Sequence, residues 1–214
     1  MLSVPNLLTM SRILLVPVFA IAFVLPGDGA RLTAFFIFCI AGLSDALDGL
    51  AARKLNAGSD FGRMLDPIAD KILVAVALMM LVAEGNIEQF VLMPDVRSLL
   101  RLVPALVILA REILVSGLRE FLAGAAVSVP VTAIAKFKTT IQMIAIGAMI
   151  LEPVAVRDLP EALALTYSTI AYAALWIAAA LTVYTGWVYL RAGLVHVRPD
   201  RDTSEGAGSA GEAA

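Results

Sequence analysis

Six long apolar segments, separated by short polar or turn-forming stretches, dominate the pattern of the chain. They cover residues 8–25, 32–54, 66–83, 99–122, 134–151 and 162–190. A helix needs roughly 20 apolar residues to cross the hydrocarbon layer of a membrane, and each segment is close to that length or longer. The pattern therefore predicts an all-α integral membrane protein with a bundle of six transmembrane helices.

The stretches between these segments contain Gly, Pro and charged residues, which are typical of turns. They are residues 26–29, 84–86 with Pro94, 124–130 and 152–160. None is long enough for a separate domain, so residues 1–198 are predicted to form one membrane domain. Residues 199–214 are small and polar. Because such a composition cannot bury an apolar core, a disordered tail is predicted there.

The composition agrees with a membrane protein and narrows the chemistry. Hydrophobic residues make up 60% of the 214 residues, against about 45–50% in typical soluble domains. The mean hydropathy is +0.90. The single cysteine, Cys39, excludes an internal disulfide, and the single histidine, His196, lies near the tail, so no Ser-His or Cys-His nucleophile is expected. The net charge of −2 gives no indication of a nucleic-acid partner.

The basic residues are distributed unequally between the two ends of the predicted helices. If both termini are cytoplasmic, eleven basic residues lie on the cytoplasmic side and four on the opposite side. The eleven are Arg12, Arg53, Lys54, Arg63, Lys71, Arg119, Lys136, Lys138, Arg191, Arg198 and Arg201. The four are Arg31, Arg97, Arg101 and Arg157. This excess satisfies the positive-inside rule, so both termini are predicted to face the cytoplasm.

Four carboxylates lie beside strongly apolar sequence at the cytoplasmic ends of the second and third segments. Asp45 and Asp48 are three residues apart, and Asp66 and Asp70 are four apart, so each pair shares one face of a helix. If residues 55–62 connect the two helices, the helices pack antiparallel and the four acids converge. An ionised carboxylate beside a bilayer costs several kcal/mol unless it is paired, hydrated or bound to metal. A polar active-site cavity is therefore expected on the cytoplasmic side.

Converged carboxylates repel each other, and a cation relieves that repulsion. Oxygen ligands at this density suit hard divalent cations such as Mg²⁺ or Mn²⁺, and two ions are expected. Such a site can polarise a phosphoryl group and neutralise a leaving phosphate. Gly49 and Ala52, one turn from the acids, leave room for a nucleotide or serve helix packing. Arg53 pairs with phosphate or with one of the acids, or it anchors the topology of the helix.

These residues together form a recognisable signature, Asp-x2-Asp-Gly-x2-Ala-Arg-x8-Gly-x3-Asp-x3-Asp, between Asp45 and Asp70. Every fixed position matches, and the chain resembles the CDP-alcohol phosphotransferases. The resemblance implies a six-helix membrane enzyme, typically a homodimer, that displaces CMP from a CDP-linked lipid or alcohol with the help of divalent metal.

The resemblance also implies roles by motif position. The positions expected to bind metal are Asp45, Asp48, Asp66 and Asp70. Asp66 and Asp70 are the expected catalytic pair, with Asp70 as a metal ligand, as the general base on the acceptor hydroxyl, or as both. The positions expected to line the cytidine nucleotide pocket are Gly49, Ala52, Arg53 and Gly62.

Outside the signature, three stretches are similar to one bacterial branch of the family. They are residues 5–12, 110–120 and 135–143. That branch uses CDP-diacylglycerol as donor and glycerol 3-phosphate as acceptor in the cytoplasmic membrane. The resemblance runs from about residue 4 to residue 190. The alternatives are a sister enzyme with another acceptor, such as inositol phosphate, serine or a lipid, and an ion or metal transporter.

A basic cluster is the expected receptor for the acceptor's phosphate, because Arg binds phosphate through paired hydrogen bonds. The candidates are Arg111, Arg119, Lys136 and Lys138. Arg111 lies within an apolar segment, an expensive position unless it faces a wet cavity or an anion. The alternative is that the arginines form structural ion pairs with Glu112 and Glu120 and the lysines mark topology. Thr9 and Arg12 either contact the phosphates of the CDP-lipid or anchor the first helix at the interface.

Overall fold

The computed structural model describes residues 4–55, 60–84, 96–124 and 133–197. In these ranges the chain forms six α-helices and no strand, which confirms the predicted all-α class. The helices are α1 (Val4–Val24), α2 (Asp28–Leu55), α3 (Asp60–Ala83), α4 (Val96–Gly124), α5 (Ala133–Asp158) and α6 (Glu161–Val197). Within them, the side chains of residues 4–9, 45–55, 60–64, 66, 67, 70, 123, 133–136, 192 and 194–197 lie outside the described residues.

Several helices are longer than the apolar segments that predict them. α2 begins at Asp28, whose carboxylate lies in the first turn, where the partial positive charge of a helix N-terminus favours an acid. α3 begins at Asp60 rather than at residue 66, and α6 ends at Val197 rather than at 190. α5 continues to Asp158, although a break was expected from residue 152. The buried side chain of Glu152 meets Arg101 and Ser168 inside the bundle, so its charge does not end the helix.

The helices pack as two groups joined through the middle of the bundle. α1 lies against α2 and α3, and α6 lies against α4 and α5, while α2 contacts α5 and α3 contacts α4. Phe19 of α1 is fully buried, with its ring centroid 5.8 Å from that of Phe23 and 6.1 Å from that of Phe38 on α2. Other fully buried apolar side chains are Leu78, Leu81, Ile108, Ile146, Met149, Ile150 and Leu175.

Successive helices run in opposite directions, as two tight connections and the contacts between helices show. Gly27, with φ of +101°, makes the turn between α1 and α2 in a conformation that favours glycine. Only Leu159 and Pro160 separate α5 from α6. The late part of α4 meets the early parts of α3 and α5 through Glu112. The early part of α4 meets the late parts of α3 and α5 through Arg101.

The outer surface of the bundle is strongly apolar. Leu14, Leu114 and Leu165 are 68%, 71% and 67% exposed, whereas soluble monomers rarely expose large contiguous apolar patches. In the described part of the chain, two helical stretches are long and apolar enough to cross a membrane, Phe137–Asp158 and Glu161–Arg191. Two further apolar stretches, Met10–Val24 and Lys71–Ala83, are shorter. These features are consistent with a membrane protein, and insertion of all six helices stays a prediction.

Candidate active site

The four signature carboxylates lie on two helices, each pair within one turn or so. Asp45 and Asp48 are in the later part of α2, and Asp66 and Asp70 are in the early part of α3. Regular helical backbone at these positions places each pair on one face. Their side chains lie outside the described residues, so their convergence stays a prediction. The end of the bundle that carries these residues is called the signature end below.

Other predicted positions are also helical with side chains outside the described set. They are Thr9 in α1, Gly49, Ala52 and Arg53 in α2, Gly62 in α3 and Lys136 in α5. Among the described side chains, no group of three or more His, Cys, Asp or Glu residues could hold a metal ion. The oxygen donors of the four signature carboxylates suit a hard cation, and their role as metal ligands stays a prediction.

Next to the signature, three cationic side chains contact one buried carboxylate. Lys71 of α3, the residue after Asp70, places Nζ 2.9 Å from Oε2 of Glu112 on α4. Lys138 of α5 donates to Oε1 of the same carboxylate. Nη1 of Arg111 lies 3.3 Å from that oxygen. Lys71, Arg111, Glu112 and Lys138 form the Glu112 cluster, which joins three helices at the signature end.

Arg111 is oriented by α6 as well as by Glu112. Its Nη2 donates to Oγ1 of Thr185 at 2.9 Å. A Cβ atom at Gly186 would lie 2.9 Å from Cγ of Arg111, so glycine leaves the space that the arginine stem occupies. Nε of Arg111 is buried and has no hydrogen-bond partner among the described residues. A buried donor without a partner costs about 1–3 kcal/mol, which favours a polar occupant beside it.

Two more buried polar atoms lie one helical turn from this cluster. Gln142, four residues after Lys138, is 3% exposed, and Thr182, three residues before Thr185, is fully buried. Oε1 of Gln142 and Oγ1 of Thr182 have no hydrogen-bond partner in the described part of the chain. The interior beside the Glu112 cluster is therefore polar on α5 and α6 as well as on α4.

The structure brings together some of the predicted phosphate ligands and not others. Arg111 and Lys138 meet at Glu112. Arg119 is exposed and lies two turns further along α4. Arg12 on α1 is 1% exposed, which is far more buried than an interfacial anchor would be.

Glu112, Lys71 and Thr185 were not predicted as site residues. Two signals were available. Glu112 is an acid in the middle of an apolar segment, which is as costly as the neighbouring arginine. Lys71 directly follows the last acid of the signature. Thr185 carried no signal, because threonine is common in membrane helices.

An apolar cavity of about 620 Å³ opens between α2 and α5 and reaches Tyr167 of α6. It begins at Gly42 and Thr139, which are close in sequence to Asp45 and Lys138 respectively, and extends to Leu151. Glycines shape it, because a Cβ at Gly42 would overlap the methyl group of Met143. A Cβ at Gly147 would lie 3.2 Å from the Phe35 ring. The cavity therefore joins the signature end to the apolar middle of the bundle.

A second polar network lies at the opposite end. Arg101 of α4 contacts Glu84 at 3.5 Å, Glu152 at 3.0 Å and the hydroxyl of Tyr172 at 2.8 Å. Arg31 of α2 pairs with Glu84 and lies over the Phe23 ring, with Cζ 4.0 Å from its centroid. These contacts form the Arg101 network. Eleven residues separate Arg101 from Glu112, or about 16 Å along α4, so the network is remote from the signature.

Comparison with known proteins identifies the family. Residues 2–184 match the family described as CDP-alcohol phosphatidyltransferase. The chain belongs to this family of membrane-lipid enzymes, and the resemblance inferred from the signature is confirmed. Members of the family use divalent metal ions.

Individual relatives are similar over most of the chain. A CDP-diacylglycerol–glycerol-3-phosphate 3-phosphatidyltransferase of Rickettsia felis is 40% identical over 191 residues, which are 89% of this chain and 94% of the relative. A protein of the same name from Pseudomonas fluorescens is 37% identical over 202 residues, 93% of this chain and 94% of the relative. One from Salmonella typhimurium is 42% identical over 153 residues, 71% of this chain and 78% of the relative.

Proposed function

We propose that this chain transfers the phosphatidyl group of CDP-diacylglycerol to sn-glycerol 3-phosphate, giving phosphatidylglycerophosphate and CMP. The relatives named for that reaction, similar over most of the chain, support the assignment. Within the structure, the observation that carries it is the Glu112 cluster. Three cations meet the buried Glu112 carboxylate, and the first of them, Lys71, directly follows the last signature carboxylate, which places positive charge beside the proposed metal site.

The signature carboxylates Asp45, Asp48, Asp66 and Asp70 are the proposed ligands of two divalent cations, Mg²⁺ or Mn²⁺. Four carboxylates on two neighbouring helices offer the oxygen donors that these hard cations prefer. The bound cations would neutralise charge on the diphosphate and on the departing CMP.

The donor lipid is proposed to lie along α1, α2 and α5. Its cytidine nucleotide lies against Gly49, Ala52, Arg53 and Gly62, and its phosphates lie near Thr9 and the buried Arg12. One acyl chain occupies the apolar cavity, because that cavity begins beside the signature and continues into the apolar middle of the bundle. Its lining of Phe, Met, Ile and Leu side chains suits a hydrocarbon chain.

The acceptor is proposed to bind with its phosphate against Arg111 and Lys138. Buried arginine and lysine bind phosphate through charge-assisted hydrogen bonds, which are stronger than neutral ones. The unpartnered Nε of Arg111 offers one such donor. Arg119 and Lys136, at the same end of the bundle, attract the acceptor from the cytoplasm. The polar side chains of Gln142 and Thr182 provide hydrogen-bonding groups for the glycerol hydroxyls.

In the chemical step, the terminal hydroxyl oxygen of glycerol 3-phosphate attacks the lipid-side phosphorus of CDP-diacylglycerol. The new oxygen–phosphorus bond forms as the bond to the bridging oxygen of the diphosphate breaks, and CMP leaves with that oxygen. Asp70 accepts the proton of the attacking hydroxyl. Lys71, the next residue, is held by Glu112 at 2.9 Å, which couples the acceptor pocket to the helix that bears the base.

The enzyme is proposed to lie in the bacterial cytoplasmic membrane as a homodimer, with both termini and the signature end on the cytoplasmic side. The excess of basic residues at that side supports the orientation. Both substrates also favour it, since a soluble phosphorylated alcohol has to reach the site from the cytoplasm while the lipid enters from the membrane.

The test uses the purified chain in detergent micelles with CDP-diacylglycerol and a panel of acceptors. Release of CMP with glycerol 3-phosphate, and detection of phosphatidylglycerophosphate by mass spectrometry, are expected. Both should stop when EDTA is added and resume with excess Mg²⁺ or Mn²⁺. Activity with inositol phosphate or serine, but not with glycerol 3-phosphate, would show that the acceptor is assigned wrongly.

A further inference from the structure

The Glu112 carboxylate is the common partner of three cations that come from three different helices. Lys71 on α3 uses Oε2 at 2.9 Å, whereas Lys138 on α5 and Arg111 on α4 both meet Oε1. Both carboxylate oxygens are thereby occupied. Each cation is consequently held at a set position relative to the other two, although the cations repel one another.

These four side chains carry a net charge of +2, because three cations meet one carboxylate. The side chains of Glu112, Lys138 and Arg111 are 8%, 5% and 12% exposed, whereas that of Lys71 is 34% exposed, so solvent screens the charge of Lys71 more than the other three. Buried charge is costly unless a counter-charge lies beside it. A phosphomonoester carries about −1.5 to −2 at neutral pH. The net charge of these four side chains is therefore opposite in sign and similar in size to that of one phosphate group.

We propose that Glu112 is a positioning residue for the phosphate of the acceptor. Its carboxylate holds Lys71, Arg111 and Lys138 close to one another. Its negative charge also lowers the net charge of the cluster to a value that one phosphomonoester can neutralise. This inference rests on the proposed function. Glu112 acts through the cations and does not bind phosphate itself, since its carboxylate would repel it.

Replacement by glutamine separates this role from packing, because the side chain keeps its size and loses its charge. In Glu112→Gln the amide nitrogen is a donor, so one of the two oxygens that now receive ammonium or guanidinium groups is lost. At least one cation then loses its position, and the net charge of the cluster rises by one. Glu112→Asp keeps the charge but shortens the side chain by one methylene. The matched control is Glu120→Gln, an exposed position on the same helix.

The experiment measures CMP release by the purified full chain in CDP-diacylglycerol micelles. Glycerol 3-phosphate is varied at saturating CDP-diacylglycerol, and CDP-diacylglycerol is then varied at saturating glycerol 3-phosphate. For Glu112→Gln, the KM for glycerol 3-phosphate should rise at least about tenfold, whereas the KM for CDP-diacylglycerol should change less than about threefold. Competitive inhibition by inorganic phosphate against glycerol 3-phosphate should weaken by a similar factor. For Glu112→Asp, the KM for glycerol 3-phosphate should lie between that of Glu112→Gln and that of the unmodified chain. For Glu120→Gln, this KM should equal that of the unmodified chain.

A purely structural role would lower the fraction of active enzyme, and hence kcat, without this selective rise in the acceptor KM. An acceptor KM and phosphate inhibition constant within twofold of the unmodified chain in folded Glu112→Gln would overturn the proposal. If that variant does not fold, the same comparison for Glu112→Asp decides. An unmodified chain that is inactive with glycerol 3-phosphate would instead refute the proposed function.

Discussion

Arg101 and Glu112 lie eleven residues apart on α4, and each ties α4 to α3 and α5 at its own end of the bundle. Arg101 does so by binding Glu84 and Glu152, and Glu112 does so by binding Lys71 and Lys138. The charges in the two arrangements are of opposite sign: a cation, Arg101, contacts anions at one end, and an anion, Glu112, contacts cations at the other. Only the anion-centred cluster adjoins the signature, so the two ends should respond differently to mutation.

Removal of charge at the opposite end should reduce stability without changing substrate use. In Glu152→Gln, the partly buried Arg101 loses one of its two carboxylate partners and keeps Glu84, and the loss of a hydrogen bond between charged groups costs about 1.5–3 kcal/mol. A lower thermal denaturation midpoint in detergent is expected, with the KM for glycerol 3-phosphate unchanged at temperatures where the variant is folded. Glu120→Gln, at an exposed site, is the control. A selective rise in that KM would contradict the separation of the two ends.

The signature should be sensitive to loss of a single carboxylate. Asp66→Asn removes a proposed metal ligand and should lower kcat at least about 100-fold, since a metal contributes several kcal/mol to stabilisation of developing charge. Turnover should be measured at saturating Mg²⁺ and at saturating Mn²⁺. Asp60→Asn, at the start of the same helix and at a variable position of the signature, should retain activity. Normal turnover in Asp66→Asn would remove the metal hypothesis.

The number of helices in the described ranges could be predicted from the sequence, whereas the convergence of the candidate site stays a prediction. Six apolar segments lead to six helices, because apolar length and interruptions are local properties of the chain. The spacing of Asp45, Asp48, Asp66 and Asp70 identifies the family, which the comparison confirms. The end of α5 was predicted wrongly, because Glu152 looks like an interruption until its buried partner Arg101 is known.

The partners within each cluster could not be predicted, because they depend on which faces of distant helices meet. An ion pair between Arg111 and Glu112 was one of two alternatives that the sequence left open, and adjacent residues on a helix do not usually face each other. The two do contact, at 3.3 Å, and Arg111 also reaches Thr185 on α6. The convergence of Lys71 and Lys138 on Glu112 likewise depends on the packing of α3 and α5 against α4, which hydropathy does not determine.

Loss of the Arg111 guanidinium should weaken acceptor binding. Arg111→Gln removes charged donors from the proposed phosphate site, and hydrogen bonds to charged groups contribute about 1.5–3 kcal/mol, or roughly 10–100-fold in binding. The KM for glycerol 3-phosphate should rise within that range, while the KM for CDP-diacylglycerol changes little. Arg191→Gln, at an exposed position of α6, controls for the loss of positive charge at the same end. An equal rise in both variants would indicate general attraction of the substrate rather than a specific contact.

Gly186 provides a way to move Arg111 without changing its chemistry. In Gly186→Ala the new Cβ would lie 2.9 Å from Cγ and 3.2 Å from Nε of Arg111, so the arginine has to shift. An increase of about threefold to tenfold in the KM for glycerol 3-phosphate is expected, because a charge-assisted hydrogen bond weakens when its geometry changes. Gly117→Ala on α4 meets nothing within 4 Å and should leave the KM unchanged. The idea fails if Gly117→Ala and Gly186→Ala have the same acceptor KM.

The apolar cavity should determine which acyl chains the donor can carry. In Gly147→Leu, a bulky side chain is added at a residue that lines the cavity, and its Cβ alone would lie 3.2 Å from Cε2 of Phe35. Long-chain CDP-diacylglycerol should then be used about tenfold less efficiently in kcat/KM, because a difference of one or two methylenes in an apolar pocket is worth about that much. Short-chain CDP-diacylglycerol should be affected less, and the KM for glycerol 3-phosphate should not change. Ala180→Leu, which adds the same bulk at an exposed position of α6, should have no chain-length effect. Equal losses for long and short chains in Gly147→Leu would indicate distortion of the bundle and would exclude the cavity as the acyl-chain site.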